Sequence, residues 1–179
     1  MNELYNRYAL ALLELAKEMN KVEDFRKEVS SLTTIFKENP EFVEFLSSYN
    51  FKEDDKYLFV DRNIGKFYSA ELVSYIKIII RHHRSNLIYK IFKETLMRFD
   101  DYLSIERGKV YSTVPLDNKE MDRLKKVIEK NTGKKIELIN VLDESLIGGI
   151  KVVLKNDIYD ASIKSKVVKL KEMLLKGGN

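Results

Sequence analysis

Asp143-Glu144-Ser145-Leu146-Ile147-Gly148-Gly149-Ile150, followed shortly by Ile158-Tyr159-Asp160-Ala161-Ser162-Ile163, is the stretch on which the reading of this chain turns. Two adjacent glycines open an alternating apolar run, Ile150, Val152 and Leu154, and Asn156-Asp157 then returns the chain into a second short strand. That pattern predicts a hairpin over Ile150–Leu154 and Ile158–Tyr159. A phosphate cradle needs glycines that open a helix. These open a strand, so Gly148 and Gly149 read as a backbone bend. Asp143 reads as a local cap, and Asp160 as an acceptor of backbone N–H bonds at the start of the last helix, with Ser162 assisting.

Working outward, the period is two after Gly108. Lys109–Val114 reads as a strand stopped by Pro115, and Ile136–Leu142 as another. Between them Asp117-Asn118-Lys119-Glu120 has the form of a capping box for a helix through Met121, Leu124, Val127 and Ile128, stopped at Gly133. A last helix would carry Ile163, Val167, Leu170 and Leu174 on its apolar face. Before residue 106 the period is helical. Tyr5, Tyr8, Leu12, Leu15 and Met19 form one stripe, and Val22, Phe25, Val29, Leu32 and Phe36 a second. Asn39-Pro40 would cap a third helix with Phe42, Val43, Phe45, Leu46 and Tyr49 inward. A fourth runs from about Glu53 to Gly65. A fifth, apolar nearly all round, holds Leu72, Val73, Tyr75, Ile76, Ile79 and Ile80. The sixth and longest is expected from Leu87 to about Glu106. The fold class is therefore α+β, mostly α: a six-helix bundle over 1–106, then a small α/β domain with a short sheet over 107–179.

Charge divides the chain at the same place. Residues 1–106 carry 16 Lys/Arg against 18 Asp/Glu and residues 107–179 carry 16 against 10, which together give the net +4. The change of sign predicts two units with different partners. It also predicts a proteolytic cut between Glu106 and Gly108, or after Lys176, leaving residues 1–105 folded. No apolar run reaches the roughly 18 residues that a membrane helix needs. Met1-Asn2-Glu3-Leu4 shows no basic or apolar signal segment, and the absence of cysteine excludes disulfides and thiol chemistry.

Nothing in the sequence assembles a catalytic or metal site. The two histidines, His82 and His83, are neighbours, so on a helix they diverge by about 100° and cannot share one ion as an i, i+4 pair can. They are expected to meet the carbonyls at the end of the fifth helix. Asp54-Asp55 and Asp100-Asp101 lie among Lys, Arg and polar neighbours and read as solvated faces. Neither a P-loop nor a nucleophile elbow occurs. No enzyme activity, cofactor or metal is expected. The basic last helix, with Lys164, Lys166, Lys169, Lys171 and Lys176, admits a nucleic-acid partner. Its unit offers only Tyr111 and Tyr159 for stacking, so an acidic protein partner is preferred.

Four stretches in order carry a resemblance that covers nearly the whole chain. They are Tyr8-Ala9-Leu10-Ala11 with the apolar run to Ala16; Arg84, Leu87 and Ile91; Tyr111-Ser112-Thr113-Val114-Pro115-Leu116; and the block from Asp143 to Ser162. Together they resemble the delta subunit of F-type ATP synthases, the family of the mitochondrial oligomycin-sensitivity-conferring protein. Ala161 stands where that family often has Gly, and Asn156-Asp157 replaces a Gly-containing turn. The resemblance implies a non-catalytic stator subunit, peripheral on the cytoplasmic face of the bacterial cell membrane. In such a subunit the helical domain receives the N-terminal segment of an alpha subunit of the catalytic head, and the C-terminal domain meets the b subunits of the peripheral stalk. It implies no nucleic-acid contact, and a membrane contact only through the complex. The implied receiving groove lies between the first and fifth helices, at Tyr8, Ala11, Leu12, Leu15, Ile76 and Ile79. The same residues, Leu12 and Leu15 above all, also fit plain bundle core. A basic nucleic-acid adaptor and a generic helical scaffold stand as alternatives.

Overall fold

A run of helical periods gives way to strands at residue 105, and the chain divides there. The computed structural model describes residues 2–155 and 157–176. Asn156 of the expected turn, the side chains of Leu170, Leu174 and Lys176, and the tail beyond lie outside the described residues. Two compact units result, Met1–Leu103 and Ser104–Asn179.

The first unit contains α1 (Asn2–Glu18), α2 (Val22–Glu38), α3 (Pro40–Ser47), α4 (Glu53–Asn63), α5 (Ala70–Arg81) and α6 (Ile88–Tyr102), with a 3-10 turn at Ser85–Leu87. α6 packs against α1 and α2, and α4 against α5. The periodic stripes explain why: Tyr5, Tyr8 and Leu12 of α1, Phe25, Val29, Leu32 and Phe36 of α2, and Ile88, Phe92, Leu96 and Phe99 of α6 are all in one core. Edge-to-face ring pairs run through it, with Phe36–Phe92 centroids at 5.3 Å and Tyr75–Phe92 at 5.7 Å. α5 is positioned from a distance. The Glu28 carboxylate of α2 accepts from the Ser69 backbone N–H (3.2 Å) and hydroxyl (2.6 Å), satisfying donors at the helix start.

Several expectations for this unit need correction. Asn39 does not cap α3 with its side chain; its Nδ2 donates back to Ile35 O (2.9 Å), so it closes α2 instead. Tyr49 lies beyond the end of α3 and is 88% exposed. The histidines make no side-chain bonds to helix carbonyls among the described residues. The turn is made by backbone bonds, His82 N to Ile78 O (3.1 Å) and His83 N to Ile80 O (2.8 Å), with His83 at φ 55°. Asp100 is not on a solvated face. It is buried on α6 and accepts from Arg26 Nε of α2 at 2.7 Å. An acid read as polar surface is thus one half of an interior ion pair, because the partner is 74 residues away.

The second unit contains β1 (Ile105–Ser112), α7 (Asn118–Thr132), β2 (Lys135–Leu142), a 3-10 turn at Glu144–Leu146, β3 (Ile150–Val153), β4 (Ile158–Asp160) and α8 (Ile163–Lys176). The sheet order is β2-β1-β3-β4. β1 pairs in parallel with β2 along its whole length, Ile105 opposite Lys135 to Ser112 opposite Leu142. It pairs antiparallel with β3, and β3 antiparallel with β4. The Asp117–Glu120 capping box is present in both directions, at 2.7 and 2.9 Å, and Gly133 ends α7 at φ 70°. Val110, Ile128, Ile136, Val152 and Leu154 make the small core.

The expected ends of the sixth helix and first strand are overturned. α6 stops at Tyr102 after 15 residues, about 22 Å of rise, and β1 is already under way at Ile105. The inward face of β1 reads Glu106, Gly108, Val110, Ser112, so the usual apolar alternation is missing from its first half. Glu106 is buried because Lys134 Nζ (2.7 Å) and the Lys155 backbone N–H (3.2 Å) both donate to its carboxylate. Gly108 is a packing glycine inside this strand: a Cβ there would lie 2.4 Å from Leu154 Cδ2. Residues 106–108 therefore form part of an inner strand, and the expected cut there is not supported.

Candidate functional site

The first site begins with two helix faces. On α1, Ala11 and Leu15 stand one turn apart on the outer side of the buried Leu12; on α5, Ala70, Ser74 and Ile78 follow at the same spacing of four. Between them lies an open groove of about 390 Å³ floored by Leu12 and Tyr75. It continues into a second hollow of about 370 Å³ past Ala11 and Ile78 towards Arg7, His82 and Arg84. The width is set by a brace across the two helices. Arg84 Nη1 donates to Tyr8 Oη at 2.7 Å, and the Tyr8 ring meets the Tyr75 ring edge-on at 6.2 Å. Tyr75 in turn lies against Thr95, with Oη···Oγ1 at 3.4 Å, and burial pushes its hydroxyl pKa well above the ordinary tyrosine value. The groove is apolar along its middle, basic at the Arg84 end and acidic at Glu71.

Of the six residues expected to line this groove, Tyr8, Ala11, Leu12 and Leu15 do so. Ala11 is exposed, Leu15 half-buried, and Tyr8 and Leu12 are part of the core as well as the floor. Ile76 and Ile79 do not line it: both are fully buried beneath α5. The α5 wall is made by Ser74 and Ile78, with Ile78 47% exposed. A signal for this was present. Ile78-Ile79-Ile80 places three isoleucines in succession, and a single helix face cannot bury all three.

The second candidate region is the block from Asp143 to Ser162, where two loops are fastened to each other. Gly149 adopts φ 78°, and a Cβ on it would meet Ala161 O at 2.6 Å. Gly148 lies under Ile163, whose Cδ1 would be 2.7 Å from an added Cβ. Backbone bonds complete the fastening: Ala161 N to Ile150 O and Ile163 N to Gly148 O, both 2.9 Å. Asp143 Oδ1 accepts from Ser145 N (3.0 Å), and Asp160 Oδ1 from Ser162 N (2.9 Å). Ser162 Oγ accepts from Ser165 N (3.1 Å), so Ser162, rather than Asp160, is the residue that caps α8. Hydrogen bonds from Ser145 and Ser162 hold the Asp143 and Asp160 carboxyls below the usual aspartate range. Lys151, Lys164 and Lys169 surround these acids in an open hollow of about 460 Å³. Beyond it, α8 leaves Ile163, Val167, Val168 and Met173 exposed alongside its lysines.

Among the described residues no group of three or more His, Asp or Glu is placed to hold a metal, and no helix is long and apolar enough to cross a membrane. A helical unit with an open apolar groove, followed by a small sheet unit with a basic, partly apolar helix, defines the class of a two-unit binding protein. The comparisons with known proteins make that class specific. The family model for the ATP synthase delta (OSCP) subunit matches residues 4–174. ATP synthase subunit delta of Clostridium beijerinckii is 37% identical over 174 residues, covering 97% of each chain. That of Mycoplasma mobile is 33% identical over 168 residues, with 94% and 93% covered, and that of Bacillus cytotoxicus 31% over 171, with 95% and 94% covered. Among solved structures, a chain of the cryo-EM Toxoplasma gondii mitochondrial ATP synthase hexamer shares the fold at a TM-score of 0.69. It has 17% identity, with 96% of this chain and 97% of that one covered. The chain belongs to the ATP synthase delta (OSCP) subunit family. Its role is that of a stator subunit in the peripheral stalk of ATP synthase.

Proposed function

We propose that the α1–α5 groove is the joint that receives the N-terminal segment of an alpha subunit of the catalytic head, as an amphipathic helix. We further propose that the second unit meets the b subunits of the stalk on the cytoplasmic face of the bacterial cell membrane. The observation that supports the head joint is the groove itself: it is open, apolar along its middle and edged by a small residue, Ala11. An amphipathic helix buries its large side chains in such a channel over several turns. The opposite charges at the two ends, Arg7 and Arg84 against Glu71, favour one direction of entry. The six helices of the first unit act in this reading as one stiff bundle, which a stator needs because rotation of the central shaft drags on the head. On the second unit, the exposed Val167, Val168 and Met173 beside Lys164 and Lys169 suit the ends of acidic, amphipathic stalk helices. The nucleic-acid adaptor and generic scaffold are set aside by family membership.

Titration of a synthetic alpha-subunit N-terminal peptide onto the intact chain tests the joint. Ala11→Arg and Ile78→Asp are expected to weaken binding by about 2–4 kcal/mol, since each puts a charge where the bound helix excludes water. Both side chains are on the outer face, so cooperative melting survives. Ile76→Ala is expected to do the reverse, leaving affinity near wild type and lowering stability by about 2–5 kcal/mol through a core cavity. Full affinity in the Ala11→Arg protein sinks the groove assignment.

A further inference from the structure

Ile147 is held in a backbone conformation that its own side chain disfavours. Among the described residues, four other than glycine have left-handed backbone: Asn20, His83, Ser104 and Ile147. Only Ile147 is β-branched, and its φ of 65° and ψ of −28° crowd the branched Cβ against the main chain. Burial of the side chain would offset such strain, yet Ile147 is 71% exposed. The loop fixes it there from both flanks. Asp143 Oδ1 and O accept from Ser145 N (3.0 Å) and Leu146 N (3.3 Å), and the Leu146 side chain is buried. Ile147 N donates to Glu144 O (3.2 Å), and Gly148 O accepts from Ile163 N (2.9 Å). Strain of this kind persists where the surroundings over-determine it, and it gathers where proteins meet ligands and partners.

The exposed side chain does not stand alone. Gly148 lies against Ile163, which is itself exposed, and the exposed Val167 follows one turn further along α8. Ile147 thus begins an apolar row that α8 continues. α8 has five lysines and one glutamate over its length, so the row runs along a basic element. We propose that Ile147 is an anchor, held out by its loop to enter an apolar pocket on an acidic, amphipathic helix of the stalk. Ile163 and Val167 extend the contact, and the α8 lysines face the acidic flanks of that helix. The proposal rests on the reading that the second unit meets the b subunits. A β-branched side chain has few rotamers and the loop beneath it is fixed, so little freedom is lost when it is buried. That explains an isoleucine where glycine or asparagine would sit without strain.

The test titrates the soluble part of the b subunit onto the intact chain and follows the thermal melting of each variant alone. Ile147→Asn places a residue that tolerates left-handed backbone in the loop and removes the apolar tip. It is expected to melt a few degrees higher than wild type and yet to bind the b subunit about tenfold or more weakly. Ile147→Leu keeps the apolar bulk without the branch at Cβ, and its affinity is expected to stay near wild type. Stability and binding then move in opposite directions at one position, which a residue serving the fold alone cannot produce. Wild-type affinity in Ile147→Asn overturns the anchor and leaves the b-subunit reading standing. A lower melting temperature in Ile147→Asn, or Ile147→Leu binding as weakly as Ile147→Asn, also overturns it. No binding of the b subunit by the wild-type chain overturns both.

Discussion

Gly149 is where one atom decides most. It sits in the left-handed region at φ 78° with Ala161 O 2.6 Å from where a Cβ would be. Gly149→Ala therefore meets two obstacles, the backbone conformation and a backbone oxygen that cannot move without breaking the Ala161 N to Ile150 O bond. We expect at least about 2 kcal/mol loss in urea unfolding of the second unit. Gly133→Ala is the matched control. It shares the left-handed φ at 70° but has nothing within 4 Å, so about 1 kcal/mol is expected. The bend at these glycines was legible from their position before a strand; what they approach was not, because Ala161 belongs to the next loop. The groove shows the same limit. Leu15 lies on the α1 stripe and Ala11 is placed at the groove by the family resemblance, whereas choosing between Ile78 and the pair Ile76 and Ile79 needed the packing direction of α5, which periodicity alone leaves open when a helix is apolar nearly all round.

Elements with local instructions were read well and those with distant ones were not. α7 carries its own start and stop, Asp117 with Glu120 and Gly133, and both are present as expected. β1 carries no such signal in its first half, because Glu106 and Gly108 occupy its buried face and are accommodated by Lys134, Lys155, Leu138 and Leu154 from elsewhere in the unit. α8 depends on the turns before it, and this gives a pH dependence. Hydrogen bonding from Ser162 depresses the Asp160 carboxyl below the ordinary 3.8, as Ser145 does for Asp143. A carboxyl depressed in the folded state stabilises it above the unfolded pKa, and that stabilisation is lost as pH falls through the folded value. The second unit is thus expected to lose stability as pH drops below about 4, and Asp160→Asn is expected to flatten that slope. Helicity followed by circular dichroism against pH, in both proteins, reads it out; equal slopes count against the role given to Asp160.

At the scale of the whole molecule, the boundary is the testable feature. Separate cores and a change of element type place it at Leu103–Ser104, with Ser104 in the left-handed region at φ 53°. The composition shift puts it at residues 106–107. It could not reveal that Glu106 and Gly108 are interior, since both look like linker residues in isolation. A fragment of residues 1–103 is expected to melt cooperatively by itself, and limited proteolysis of the full chain to spare bonds 106–108. Early cleavage there, with the second unit still folded, contradicts the pairing of β1 with β2 and β3.

That same strand has a mechanical consequence. β1 is the first part of the second unit that a pull transmitted through residue 104 reaches, and it has a neighbour on each side, β2 running with it and β3 against it. Tension along its axis loads both ladders lengthwise, so their hydrogen bonds resist together. An outer strand drawn sideways would give way one bond at a time, like a zip. With the entering chain anchored in the middle of the sheet, a tether under repeated torque meets its stiffest material first.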